Sequence, residues 1–191
     1  TKYLGGHGDA VGGAVIGGSA QMSALAQDTA IHAGGVLSPF NAWLIMRGRA
    51  TLPLRMKAHA ESALRVARFL EDRSGITRVI YPGLPSHPQH ELACQQMECF
   101  SGMLTFQVPN ARATAHRLAE RLQVVHYAVS LGHHRSLVFY LPTDEMNENS
   151  FRLAPEQLAR YRDFAGDGIF RLSVGLEDPE DLCADLDQAL G

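Results

Sequence analysis

Lys2 stands between the hydroxyl of Thr1 and the ring of Tyr3 and runs into flexible glycines. A lysine amine can form a Schiff base with an aldehyde when burial and neighbouring cations lower its pKa. The same segment also reads as a turn-rich loop, because seven glycines fall among its first eighteen residues and glycine clusters mark turns. Its Gly-His-Gly-Asp, followed by Gly12 and Gly13, is not a G-x-G-x-x-G loop, so no nucleotide site is read from it. Arg171 is the second candidate. Strand alternation over Ile169 to Val174 sets Phe170, Leu172 and Val174 on one face and Arg171 with Ser173 on the other. A lone guanidinium on a mostly apolar strand needs an anion, either a bound carboxylate or a salt bridge to Glu177 or Asp178. Ser130 ends another β-rich run and by residue type alone is a turn serine. His87 and His90, and the adjacent His133 and His134, lack an acidic or sulfur ligand at a spacing that completes a tetrahedral site, so no metal is assigned. Cys94, Cys99 and Cys183 read as small apolar fillers on or beside helices.

The elements that must position these residues follow from periodicity. Ala14 to Ile16 reads as a short buried strand between turns, and residues 19 to 32 as a helix with Ser19 as its N-cap. Ser38 caps a second helix, with Pro39 at its first position and Gly48 as its break. From Pro53 to about Arg73, apolar residues recur at three and four positions, which predicts a long connecting helix. Beyond it, strands at Ile76–Tyr81, Met103–Val108, Val124–Val129, Leu137–Leu141 and Ile169–Val174 alternate with helices at His90–Met97, Ala111–Leu122, Pro155–Phe164 and Pro179–Leu190. Asn110 and Asp178 are the N-cap candidates for two of these helices. The fold class is α/β, and the chain divides into residues 1–52 and 53–191, the first offering too little to bury to form a domain alone. Trp43, Met46 and Met56 fall at helical spacing and read as core or interface.

Composition narrows the function classes. The 191 residues are 46% hydrophobic and 19% charged, which excludes whole-chain disorder. A formal net charge of -3 with no cationic block argues against a nucleic-acid partner. The apolar runs are far shorter than the ~20 residues that span a bilayer, so no membrane partner is expected. Three scattered cysteines fit a reducing, cytoplasmic compartment better than a disulfide framework. The start at Thr1, without a leader, reads as a chain whose upstream part is missing.

The motifs resemble, in order, those of the Cys/Met-metabolism family of pyridoxal-phosphate enzymes. Thr1-Lys2-Tyr3-Leu4 through Gly6-His7-Gly8-Asp9 is similar to the family's lysine motif. Leu37-Ser38-Pro39, Trp43, Arg47-Gly48, Thr51-Leu52 and Leu54-Arg55-Met56 resemble its approach to the linking helix. Tyr81-Pro82-Gly83-Leu84, His87-Pro88, Gly102-Met103, Ala128-Val129-Ser130-Leu131-Gly132 and Arg171-Leu172-Ser173-Val174-Gly175-Leu176-Glu177-Asp178 complete the series.

The resemblance implies the carboxyl-terminal half of a fold-type-I, aspartate-aminotransferase-like transferase. Residues 1–52 would end the large cofactor domain, and 53–191 would be the linking helix and small domain. Pyridoxal 5'-phosphate is the implied cofactor, held covalently by Lys2, which also carries protons between substrate carbons, with the Thr1 hydroxyl on the phosphate. Arg171 would grip the α-carboxylate of an amino-acid substrate and Ser130 would add a hydrogen bond to it. The implied reaction is γ-elimination on a sulfur amino acid such as methionine or cystathionine, giving a 2-oxo acid, ammonia and a thiol. Its alternative is γ-replacement, and the non-enzyme alternative is an interaction module without cofactor. A homo-oligomer built as a dimer of dimers is also implied. Downstream of Gly132 the run His133-His134-Arg135-Ser136-Leu137 departs from the family's pattern, in a segment that helps form the active-site wall.

Overall fold

Short runs dense in β-branched and aromatic residues form the strands β1 (Arg78–Ile80), β2 (Met103–Gln107), β3 (His126–Tyr127), β4 (Leu137–Pro142) and β5 (Gly168–Ser173). They pair as one five-stranded sheet in the order β1-β2-β5-β4-β3, antiparallel except for β3 with β4. The computed structural model describes residues 1–191, and backbone packing divides them into two units, Thr1–Pro53 and Leu54–Gly191. The sheet lies in the second unit.

One face of the sheet carries the core. Register sets Phe106 and Tyr140 opposite Phe170, with ring centroids 5.0 Å away on each side, and Leu104 and Val138 opposite Leu172. Three helices cover this face, each through one apolar stripe. Helix α3 (Leu52–Asp72) contributes Ala63, Val66, Ala67 and Leu70; α5 (Ala111–Arg121) contributes Ala115 and Leu118; α8 (Pro179–Leu190) contributes Leu182 and Leu186. Asp178 accepts from the Glu180 N–H at 2.8 Å and so caps α8, as its residue type predicts. The opposite face keeps Met103, Thr105, Phe139 and Arg171 half-buried. This barer face carries the strand-borne cation.

The first unit holds α1 (Ser19–Leu25), a wider π-wound turn over Ala26–His32, and α2 (Pro39–Ala50). Ser38 caps α2 by accepting from Asn41 N at 3.2 Å. Several local expectations fail here. Residues 14–16 form no strand, and Val15 and Ile16 are exposed, because no neighbouring strand pairs with them. Gly18, not Ser19, is the N-cap of α1, and no side chain caps it. Trp43 and Met46 are exposed, which removes the core half of their reading and leaves the interface half, with Arg47 over the Trp43 ring at 5.1 Å. Helix α2 runs through Gly48 instead of ending there.

In the second unit, Asn110 takes a left-handed conformation and makes no side-chain cap, so it supplies a turn and not a hydrogen bond. The strands predicted at 76–81 and 124–129 shorten to β1 and β3, since only those residues find ladder partners. Between β4 and α7 (Pro155–Ala165) the chain adds α6 (Thr143–Met146) and a π-wound turn at Asn147–Phe151, which periodicity did not indicate. Helix α4 (His90–Gln96) matches its predicted run to within a residue.

Candidate active site

Lys2 sits in a turn closed by Gly6 N–H donating to Lys2 O at 2.8 Å. His7 Nδ1 lies 2.7 Å from Gly5 O and braces the same turn. The turn rests directly on α2: a Cβ added at Gly48 would lie 2.1 Å from Gly5 O. Gly48 is therefore the seat of the lysine turn, which is why a helix carries glycine there despite the cost to the helix. Gly5 and Gly6 are buried, while Lys2 itself is exposed. The expectation of a buried amine is thus corrected: the turn buries its backbone and leaves the lysine stem outside. Thr1 Oγ1 donates to Gly12 O and accepts from Gly12 N, both at 2.9 Å, fastening the strand of chain that precedes the turn.

Arg171 is half-buried on β5, level with Thr105 and Phe139. Burial lowers its pKa from the ordinary value. Its guanidinium donates to Val129 O, the carbonyl immediately before Ser130. Neither acid named as a possible salt-bridge partner takes that role. Glu177 receives Ser136 N–H at 2.7 Å and Ser136 O–H at 2.8 Å, and Asp178 caps α8. The structure therefore brings Arg171 and the Ser130 segment together, and leaves the guanidinium without a carboxylate. Ser130 is exposed.

Three further residues hold this arrangement, and their roles were not legible from residue type. Ser173 Oγ accepts from Gly132 N at 2.9 Å, tying the segment after Ser130 to β5. Ser136 Oγ also accepts from Gly175 N at 2.8 Å. His59 of α3 is fully buried, and its Nδ1 lies 2.8 Å from Val174 O and 3.1 Å from Gly175 O, so the ring donates to the turn that leads to Glu177. Burial lowers the His59 pKa against the opposing effect of those carbonyls. A Cβ at Gly175 would meet Glu177 Oε2 at 2.3 Å and His134 O at 2.5 Å, so only glycine admits this close approach. The one clue in the sequence is the density of small and hydrogen-bonding residues in Arg171–Asp178.

The other groups singled out have local partners. His90 Nδ1 lies 2.7 Å from Pro82 O, and His87 Nδ1 accepts from Gln89 N at 3.1 Å. The His133 and His134 rings stack with centroids 4.6 Å apart. Burial, then His134, Arg135 and His126, lowers the His133 pKa. Cys183 is the buried filler expected, its thiol pushed up to about 11 by burial. Cys94 is exposed and Cys99 half-buried, so neither is a core filler.

A mixed sheet with helices over one face, reached through a long helix, is the architecture of the carboxyl-terminal half of fold-type-I pyridoxal-phosphate enzymes. The chain matches the crystal structure of cystathionine gamma-lyase from Lactobacillus plantarum, complexed with L-serine, at a TM-score of 0.80 and 33% identity, over 98% of this chain and 48% of that one. The chain belongs to the Cys/Met metabolism PLP-dependent enzyme family, whose profile it matches over residues 1–191. It is 43% identical to a canavanine gamma-lyase of Pseudomonas canavaninivorans and 42% identical to the O-succinylhomoserine sulfhydrylase of Pseudomonas aeruginosa. Each alignment covers 100% of this chain and 46% and 45% of the relative, so the chain spans about half the length of the curated relatives it matches. The family and fold read from the motifs are both borne out.

The residues present fit the cofactor that this family uses. The Lys2 amine is exposed and pairs with no carboxylate, so it is open to an aldehyde. The Thr1 hydroxyl has its proton on Gly12 O, and turning it toward a phosphate exchanges that bond for a charge-assisted one.

Proposed function

We propose that this chain is the carboxyl-terminal half of an enzyme that eliminates the γ-substituent of an amino acid, such as methionine or cystathionine, to give a 2-oxo acid, ammonia and a thiol. Residues 1–52 end its large domain, and residues 53–191 supply the linking helix and small domain. Pyridoxal phosphate, when bound, supplies an electron sink that makes the α and then the β proton acidic. Lys2 Nζ holds that group and takes and returns protons at the substrate carbons. Thr1 gives its hydroxyl to the phosphate. Arg171 grips the substrate α-carboxylate through its planar fork, and Ser130 adds a hydrogen bond. The observation that carries this reading is the Arg171 guanidinium, half-buried yet denied both neighbouring acids. The Cys94, Cys99 and Cys183 thiols, all free, support a reducing, cytoplasmic setting. No helix is long and apolar enough to cross a membrane. The working enzyme is a homo-oligomer in this reading, a dimer of dimers.

Replacement at the γ-carbon is the second reading, supported by the relative named O-succinylhomoserine sulfhydrylase. One assay separates the two. The full-length holoenzyme is given methionine, cystathionine, canavanine or an acylated homoserine, with and without added thiol. Release of 2-oxo acid and ammonia without thiol supports elimination, and a thioether formed only with thiol supports replacement. A protein that stays colourless with added pyridoxal phosphate refutes both and leaves the interaction module.

A further inference from the structure

We infer that Glu177 and Ser136 are positioning residues that set the affinity of the carboxylate pocket, a conclusion that rests on Arg171 and Ser130 serving the substrate carboxylate. Glu177 lies beyond the end of β5, in the turn that leads to α8. Both of its oxygens are committed to Ser136, one to the backbone N–H and one to the hydroxyl. Ser136 is fully buried, and its Oγ takes Gly175 N–H as well, so one hydroxyl joins the segment after Ser130 to the turn after β5. Leu176 N–H on His134 O at 2.8 Å closes the same seam. The clamp thus ties the His134–Ser136 stretch that follows Val129–Gly132 to the turn after β5, and so steadies the segment whose carbonyl aims the Arg171 fork.

Glu177 can be separated from a merely stabilising residue by its chemistry. Glutamine at 177 can keep both contacts, accepting from the Ser136 N–H and reversing the second bond so that its amide donates to Oγ. Alanine keeps neither. The test uses the full-length holoenzyme and L-norleucine, an amino acid with a carboxylate but no γ leaving group, with binding read from the change in cofactor absorbance and melting temperature recorded alongside. Glu177→Ala and Ser136→Ala are expected to weaken norleucine binding ~10-fold, against ~30-fold for Arg171→Ala, while Glu177→Gln stays within ~3-fold of the parent. Asp185→Ala, which removes hydrogen bonds to Gln123, Val124 and Val125 and none of those in the clamp, is expected to leave the affinity unchanged. Equal losses in Glu177→Ala and Glu177→Gln, or an affinity in Glu177→Ala within twofold of the parent, overturn the clamp. If Glu177→Ala does not fold, the Ser136→Ala and Glu177→Gln pair decides by the same criteria. Norleucine that binds the parent without any turnover of the substrate panel refutes the proposed reaction and leaves the clamp to be judged on affinity. Failure of the parent to bind norleucine overturns the pocket and the clamp together.

Discussion

The buried residues of the first unit are Gly5, Gly6, Ala10 and Gly48, whereas those of the second include Phe106, Phe170, Leu172, Leu182 and Leu186. One is held by backbone lying on backbone, the other by side chains filling a space between a sheet and its helices. The first leaves Ile16, Phe40 and Trp43 exposed, and the second closes its core over Phe106 and Phe170. Two ways of fixing a reactive group result. The lysine turn is fixed by the absence of a side chain at Gly48, and the arginine by a ladder of strands with a hydrogen-bonded clamp beside it.

The contrast can be tested. Replacing Lys2 with Ala is expected to cut turnover ~1,000-fold and abolish the borohydride-fixed adduct, read by peptide mass spectrometry. Full activity in that variant would remove the first unit from the chemistry altogether.

Asp185 probes the second unit. It is 4% exposed and accepts the backbone N–H groups of Gln123, Val124 and Val125 at 2.8 to 2.9 Å. Burial alone would raise its pKa, yet these hydrogen bonds outweigh burial and lower it from 3.8. Its contribution is therefore present above about pH 4 and lost as pH falls through the depressed folded value. Asp185→Ala is expected to cost about 2 to 3 kcal/mol in denaturant unfolding at pH 7, with the gap to the parent closing below pH 4. A gap independent of pH would show that the carboxylate charge contributes nothing.

At Gly48 an added methyl meets Gly5 O, and Gly48→Ala is expected to cost about 1 to 3 kcal/mol and to slow turnover by displacing the lysine turn. Gly13, in the same unit, has nothing within 4 Å of such a methyl. Gly13→Ala is expected to stay within about 0.5 kcal/mol of the parent in thermal unfolding. Similar effects at the two positions would erase the distinction between a packed and an unpacked glycine.

The same contrast explains what could be read from residue order. Periodicity finds α3 and α8 because their apolar stripes repeat every three or four residues and face one core. It finds the Arg171 face because β5 alternates cleanly. Gly48 looks like a helix end locally, since its reason lies in Gly5, across the unit. Glu177 looks like a partner for Arg171 because the two are close in sequence, while its actual partner is 41 residues away. Ala14–Ile16 has strand composition but pairs with no strand of this chain. Residue order thus reveals elements whose reasons are local and misses those whose reasons lie across a turn.

The contact between Arg171 and the Val129 carbonyl carries a thermodynamic consequence. A long cationic side chain ordinarily loses rotamer freedom when it closes on a ligand, a cost of ~0.5 to 1.5 kcal/mol. Here the fork is already steered into one orientation by a neutral oxygen that occupies a single N–H, and the remaining donors stay open. In the proposed reading, an incoming acid would therefore meet a receptor whose disorder was spent at folding, and its own binding entropy would be correspondingly spared.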